Sequence, residues 1–530
     1  MKRGLTTRRQ FIGAAGAATM VSSFGAQAQT GAIRVRSNIA TPAGQAALAV
    51  YARGVSAMKN PAINNPPQPQ SWTFQAFIHG VPRNPSDPVN SPGIRNGTAE
   101  MQQRIDSIYG NPGAGTPQAA WKLAAQRTWG TCPHFSPYFL SWHRFYVLYL
   151  EQMVARMAGV ADFALPYWAY ASDVGSSLQL PTAFRDTSSP LFESVRGSGW
   201  SNPQGTGPQT TPMNSGGYMP FSQITYAPAL TANRFFPSDT TFVVPPDPAY
   251  FRLGATGRLE IQPHDNVHDD VGGLMSNVPV AAQDPVFYVH HCMIDRLWSS
   301  WQSYPDSTMN WGTTPTQPSQ STWTQQSWWF VQGDGSLVQV RSGNALSADR
   351  LGYRYDDLVP RVGPTIALAA APRATAEAPG PAPLSRSTAG LSVGAGGASI
   401  DVPTQQNAVR EFATRNTPVQ LILADVMLQR RPPSALHVFI NLPAGVTPEL
   451  GSPYYVGRMR TFALDTGGHA GHGGAGHTMP SYQFAVGEVL TRQLRVGQWQ
   501  GGPVRVTITT LGAAESAGTT YMTIGRVSLR

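Results

Sequence analysis

Hydrophobic and polar positions follow two rhythms along the chain. From residue 33 to about 360, helix-like apolar stretches alternate with long loops rich in Pro, Gly, Asn and Ser, such as "NPSDPVNSPG" and "GSGWSNPQGTGPQTTPMNSGG". "SWTFQAFIHG" (71–80) and "SPYFLSWHRFYVLYLE" (136–151) predict helices. In "DPVFYVHHCMIDRLWSSW" (284–301), Asp284 as N-cap and Pro285 at the first helical position predict a third. Beyond residue 393 the period shortens. "ALHVFINL", "QFAVGEVL", "VRVTITTL" and "YMTIGRVSL" alternate over short runs, which predicts the strands of a β-sandwich. Between the two lies "AAAPRATAEAPGPAPLSRSTAG" (369–390), Ala- and Pro-rich without an apolar period. The expected organisation is a mainly α domain over 29–362, a linker over 363–392 and a β-sandwich domain over 393–530. No internal repeat is present.

A chain of 530 residues with 41% hydrophobic and 13% charged residues has ample material for two cores. Its net charge of +9 comes from scattered Arg, with no run of five basic residues, so an ordinary basic surface is read in place of a nucleic-acid footprint. The first 28 residues change the picture more. Arg8-Arg9 precede a Gly/Ala-rich apolar run ending in Ala26-Gln27-Ala28, the pattern of a twin-arginine export signal. The expectation is a periplasmic or secreted protein handed to the twin-arginine machinery, with no membrane span. The two cysteines are too few to staple a scaffold. Cys132 and Cys292 sit beside His134 and His291, which points to site chemistry.

Histidine is scarce, 11 in all, yet six fall into two trios. His79, His134 and His143 lie in or beside apolar helical stretches, where an unpaired imidazole is costly to bury. His264 and His268 are four apart, hence on one helix face, and His290-His291 follow. Imidazole trios without a carboxylate ligand suit copper, zinc, iron or nickel, with a copper pair ahead of the rest. A closed structural zinc site is disfavoured, because such sites use Cys and four ligands.

These motifs resemble the type-3 dicopper family of tyrosinases, polyphenol (catechol) oxidases and hemocyanins. "SPYFLSWHRFYVLYLE" and "DPVFYVHHCMIDRLWSSW" resemble its two copper motifs, and "GRLEIQPHDNVHDDVGG" (257–273) the segment with the other two ligands of the second copper. In residues 321–357, Tyr353 and Tyr355 resemble the family's Y-x-Y motif, expected against Arg34 or Arg36. The resemblance implies a four-helix bundle around a dicopper centre, with His79, His134 and His143 on the first copper and His264, His268 and His291 on the second. His290 is then expected behind the ligands. Asp295 is expected to fix an imidazole tautomer, or else to pair with Arg296. Cys132-Pro133-His134 is similar to the C-x-H spacing at which fungal and molluscan members form a thioether.

The implied activity uses O2 as co-substrate to ortho-hydroxylate monophenols and oxidise o-diphenols to o-quinones. Glu260 and Asp265 match positions that order a water and favour monophenol activity, or they are acids at a helix N-terminus. Val278 matches a substrate gate and is expected over the second copper. Catechol oxidase, o-aminophenol oxidase and a hemocyanin-like oxygen carrier remain open. So do a copper donor, a homo-oligomer, a C-terminal domain that shields the site, and copper capture by His469, His472 and His477.

Overall fold

The computed structural model describes residues 33–530 apart from 135, 237–257, 314–316, 362–383, 386–387, 389, 416–418, 463, 465–480 and 513–517. The export signal, most of the linker and the loop with His469, His472 and His477 lie outside the described residues.

The amino-terminal body is helical. Helix α1 (Pro42–Met58) starts where Thr41 caps Gly44 N and Pro42 supplies the first position; it buries Leu48, Tyr51, Val55 and Met58. Helix α2 (Trp72–His79) is capped by Ser71 and ends at Gly80. A Cβ at Gly80 would stand 2.6 Å from the Pro279 backbone, so only glycine lets these segments approach. Helix α3 (Phe139–Ala158) is buried nearly all round, as its continuous apolar run demands, and stops at Gly159 with φ 70°. Helix α4 (Asn266–Val271) is short, and α5 (Val286–Ser303) packs on α3, as α1 does. The last of these begins one residue later than expected. Asp284 does accept the Val286 N–H at 3.0 Å, but its carboxylate is also clamped by the Arg196 guanidinium at 2.7 and 2.8 Å. Strand β1 (Arg34–Arg36) pairs in parallel with β2 (Tyr353–Tyr355), so the two ends of this body meet.

The carboxy-terminal domain is a sandwich of two antiparallel four-stranded sheets. One has the order Ala398–Val402, Val504–Thr510, Leu436–Ile440, Tyr455–Met459; the other Tyr482–Ala485, Gln420–Leu428, Thr520–Leu529, Leu391–Gly394. Val504, Val506 and Ile508 alternate inward as the period-two pattern requires. Two expectations shift. "QFAVGEVL" is half strand and half helix: Gly487–Arg495 turns helical, burying Leu490 and Gln493 with Arg492 and Arg495 in its last turn. The expected boundary at 393 falls inside a strand, and Ser385 and Thr388 already donate to Leu529 O and Val527 O. Ala/Pro/Ser composition hid that pairing.

Among the described residues, no helix is long and apolar enough to cross a membrane. The edge strand Tyr455–Met459 leads to Phe462, whose ring is buried in the helical body's core instead of the sandwich's own.

Candidate metal centre

Eight side chains converge between α2, α3, α4 and α5. Ligating atoms of His79, Cys132, His134 and His143 lie within 4.8 Å of one another, and so do those of His264, His268, His290 and His291. The groups adjoin, since the His143 and His291 rings stack at 4.3 Å and 11°.

Four of the rings are aimed by their Nδ1 atoms. His79 Nδ1 donates to Val278 O (2.9 Å), His143 Nδ1 to Phe139 O (2.8 Å) and His268 Nδ1 to Met275 O (2.7 Å). A carbonyl only accepts, so these imidazoles carry their proton on Nδ1 and present Nε2 to the cavity. His264 Nδ1 pairs with Asp265 Oδ1 at 2.9 Å. Nε2 of His79 and of His264 is buried with no hydrogen-bond partner, and His268 Nε2 faces His291 Nε2 at 3.3 Å. Orphaned lone pairs in a buried site are costly unless a cation takes them. Burial drives the His79 pKa to about 3 and those of His143, His268, His290 and His291 well below the usual value. All five are neutral, the form that binds metal. The all-imidazole donor set, joined by one thiol, fits a pair of copper ions. Phe287 (4.1 Å from His291, 4.8 Å from His79) and Phe139 (4.5 Å from His143, 4.7 Å from His264) wall the cavity with apolar rings.

The remaining predicted residues take varied places. Cys132 Sγ lies 3.5 Å from His134 Nδ1 and 3.3 Å from His143 Nε2, its thiol pKa pushed up by burial and then by the charge of Glu260. Glu260 is buried where the helix kinks before Pro263. Asp265 touches His264 and turns Oδ2 toward Arg460 at 3.7 Å. His290, expected behind the ligands, lies inside the second group, with both ring nitrogens buried and unpartnered. Val278, expected as a gate over the second copper, lends its carbonyl to His79 Nδ1 at 2.9 Å.

Asp295 touches neither an imidazole nor Arg296. It accepts from Arg144 and Arg36 and from the Tyr353 and Tyr355 hydroxyls, both at 2.6 Å. Main-chain carbonyls hold Nδ1 of His79, His143 and His268, and Asp295 instead binds α3 to α5. Arg36 closes the network, its guanidinium 3.6 Å over the Tyr353 ring. Arg296 pairs instead with Asp357 at 3.0 Å.

The residues that sequence reasoning missed come from the carboxy-terminal domain. The Phe462 ring stacks on His268 at 3.8 Å and 17°, and lies 5.5 Å from His264 and 5.6 Å from His134. Thr461 donates twice to Asp269, and Arg458 pairs with Asp270 at 2.9 Å. Arg431 reaches Asn277 Oδ1 at 2.7 Å and Thr461 O at 2.7 Å, cradling the turn that presents Phe462. One phenylalanine at the end of the arginine-flanked "RMRTF" was the available signal.

Residues 69–304 match the family described as the common central domain of tyrosinase. A tyrosinase of Hahella sp. (strain CCB-MM4) is 29% identical over 328 residues, 59% of this chain and 61% of that protein. The chloroplastic polyphenol oxidase of Malus domestica is 27% identical over 246 residues, 42% of this chain and 38% of that one. The chain thus matches less than two thirds of the length of either relative. The solved structure of latent apple tyrosinase aligns with a TM-score of 0.48 and 19% identity, covering 94% of this chain and 97% of that one.

Proposed function

We propose that this chain belongs to the tyrosinase and polyphenol oxidase family of type-3 copper proteins, whose common central domain its residues 69–304 match, and that it oxidises phenols with O2 at a copper pair. The supporting observation is the pair of adjoining donor groups, in which Nε2 of His79 and of His264 is buried without a hydrogen-bond partner. His79, His134 and His143 would hold one ion, and His264, His268 and His291 the other. When bound, the ions would supply the redox chemistry, one atom of O2 ending in the o-quinone and the other in water when the substrate is a monophenol. The chain's own part is to keep the imidazoles neutral and aimed, to exclude water with Phe139 and Phe287, and to seat the ring over His268. A copper count on matured protein, followed by O2 uptake with matched mono- and diphenols, tests this reading. Two equivalents of copper with quinone formation support it; copper without turnover after the site is opened points to an oxygen carrier.

The finer reading is tyrosinase, with Glu260 and Asp265 handling the phenol proton. A phenol with an unperturbed pKa near 10 needs a base to bind as phenolate at neutral pH. Asp265→Leu should depress monophenol hydroxylation far more than diphenol oxidation, and equal losses would leave catechol oxidase. Cys132 is proposed to form a thioether with His134, replacing an S–H and a ring C–H while two electrons pass to the copper pair and O2. Intact-protein mass spectrometry would read the lost hydrogen pair.

Phe462 is proposed as the plug that keeps the full chain latent, because its ring fills the place a substrate ring needs. Cutting near 369–390, or Phe462→Ala, should raise diphenol turnover. Arg8-Arg9 and Ala26-Gln27-Ala28 support export in the folded state, which a reporter fusion carrying Arg8→Lys and Arg9→Lys would test.

A further inference from the structure

The segment that covers the site is itself a record of what the site accepts. Phe462 lies flat on His268 at 3.8 Å, the place of an aromatic ring. Around that ring, among the described residues, the same segment directs Arg458, Arg460 and Thr461 toward carboxylates of the helical body. Arg460 faces Asp265 at 3.7 Å, Thr461 N and Oγ1 donate to Asp269 at 2.9 and 3.1 Å, and Arg458 pairs with Asp270 at 2.9 Å. All three carboxylates are at least nine-tenths buried and ride on the turns that carry His264 and His268. Oδ2 of Asp265 accepts no hydrogen bond among the described residues and meets only the distant Arg460 charge. Once the segment leaves, a ring slot remains beside carboxylates whose cationic partners have gone.

Resting on the functional reading above, we propose that this site selects phenols with a positively charged tail, that is, phenolic amines, over neutral or carboxylated phenols. The ring takes the place of Phe462, and the ammonium group takes the place of the cationic and donating groups at Asp265 and Asp269. A carboxylate tail there would meet like charge in a water-poor mouth, where Coulomb energies are several times those in bulk water. Asp269 and Asp265 are specificity-determining residues in this scheme, and Asp270 is the lock for the covering segment.

The test uses the full-length, copper-loaded protein carrying Arg460→Gly and Phe462→Gly, which vacates the ring position and removes the guanidinium beside Asp265. Three catechols with ammonium, methyl and carboxylate tails are compared by kcat/KM. The expected order is ammonium, methyl, carboxylate, with roughly tenfold or more between the ends. Adding Asp269→Asn should compress that spread to about threefold, and raising salt should compress it as well. A flat or reversed order with the methyl catechol still oxidised overturns the inference and leaves the phenol-oxidase reading intact. If the methyl catechol is not oxidised although two copper ions are bound, that reading fails instead. Calorimetric binding of phenethylamine against 3-phenylpropionate then decides the selectivity on its own, with tighter amine binding as the supporting result. Should the double variant not fold, Phe462→Ala alone gives the same order with a smaller spread, and its absence counts against the proposal.

Discussion

Two arginine–carboxylate networks are buried in this protein, and they are built differently. Around Asp295, inside the helical body, Arg36, Arg144, Tyr353 and Tyr355 all donate to one carboxylate, both of whose oxygens are satisfied; Glu151 takes Arg36 Nε at 2.8 Å and Arg34 at 2.7 Å, although Arg34 Nε and Nη2, Arg36 Nη2 and Glu151 Oε1 have no hydrogen-bond partner. Around Asp269 and Asp270, between the domains, charges are paired but hydrogen bonds are sparse: Oδ1 and Oδ2 of Asp270 and Nε, Nη1 and Nη2 of Arg458 find no well-aligned partner. The pKa directions follow. Burial alone would raise Asp295, yet Arg144, Arg36 and the two tyrosine hydroxyls hold it below the usual range. At Asp269 burial outweighs Arg458 and Arg431 and lifts the carboxyl to about 6, and burial likewise raises Asp270 above its usual value despite Arg458. A buried ion pair stabilises only when its remaining donors and acceptors are satisfied. The first network closes one core; the second joins two domains.

The largest effect that would break this contrast is at Asp295. Asp295→Ala should cost about 3–5 kcal/mol, because Arg36 and Arg144 would be left buried without their shared carboxylate. Chemical denaturation followed by tryptophan fluorescence reads it, and a loss under about 1 kcal/mol would erase the distinction. Asp270→Ala should behave otherwise. Its cost is capped by domain release, since Arg458 can escape to water. The helical body should keep its melting temperature while hydrogen exchange across residues 455–462 quickens roughly tenfold or more. If the whole protein unfolds earlier instead, the interdomain network is as structural as the first.

Acid sharpens the comparison at smaller amplitude. Asp295 has a depressed pKa when folded, so its contribution is fully present above the ordinary carboxylate value and is lost as pH falls through and below about 4. Asp295→Asn should therefore flatten the pH dependence of unfolding in that range. Arg83→Ala sets the floor. That guanidinium meets Glu100 at 2.5 Å on the surface, with both side chains more than 40% exposed, and its loss should change stability by no more than about 0.5 kcal/mol.

Much of this was legible in the order of residues. Periodicity located the helices and most strands, and histidine spacing drew attention to the imidazoles that the structure brings together while leaving His290 outside them, because period and i, i+4 placement are local properties. The pairing of Tyr353 and Tyr355 with Arg36 was also readable through the family motif. What escaped was long-range. The partners of Asp295 lie 259 residues upstream at Arg36 and 151 upstream at Arg144, so only Arg296, its neighbour in sequence, was in view. Val278 acts through its carbonyl, to which side-chain identity is blind. Phe462 reaches His268 from another domain, and no local pattern encodes a docking surface. Gly487–Arg495 was missed because a two-residue alternation and the start of an amphipathic turn look alike over eight residues.

The strand pair at the seam of the helical body has a topological consequence. Arg34–Arg36 and Tyr353–Tyr355 run side by side in the same direction, each held by main-chain hydrogen bonds. The body is thus closed into a ring whose first and last strands touch. New ends can be opened in an outer loop and the old ones joined by a short tether without displacing any cavity-lining group, which makes this body a candidate for circular permutation.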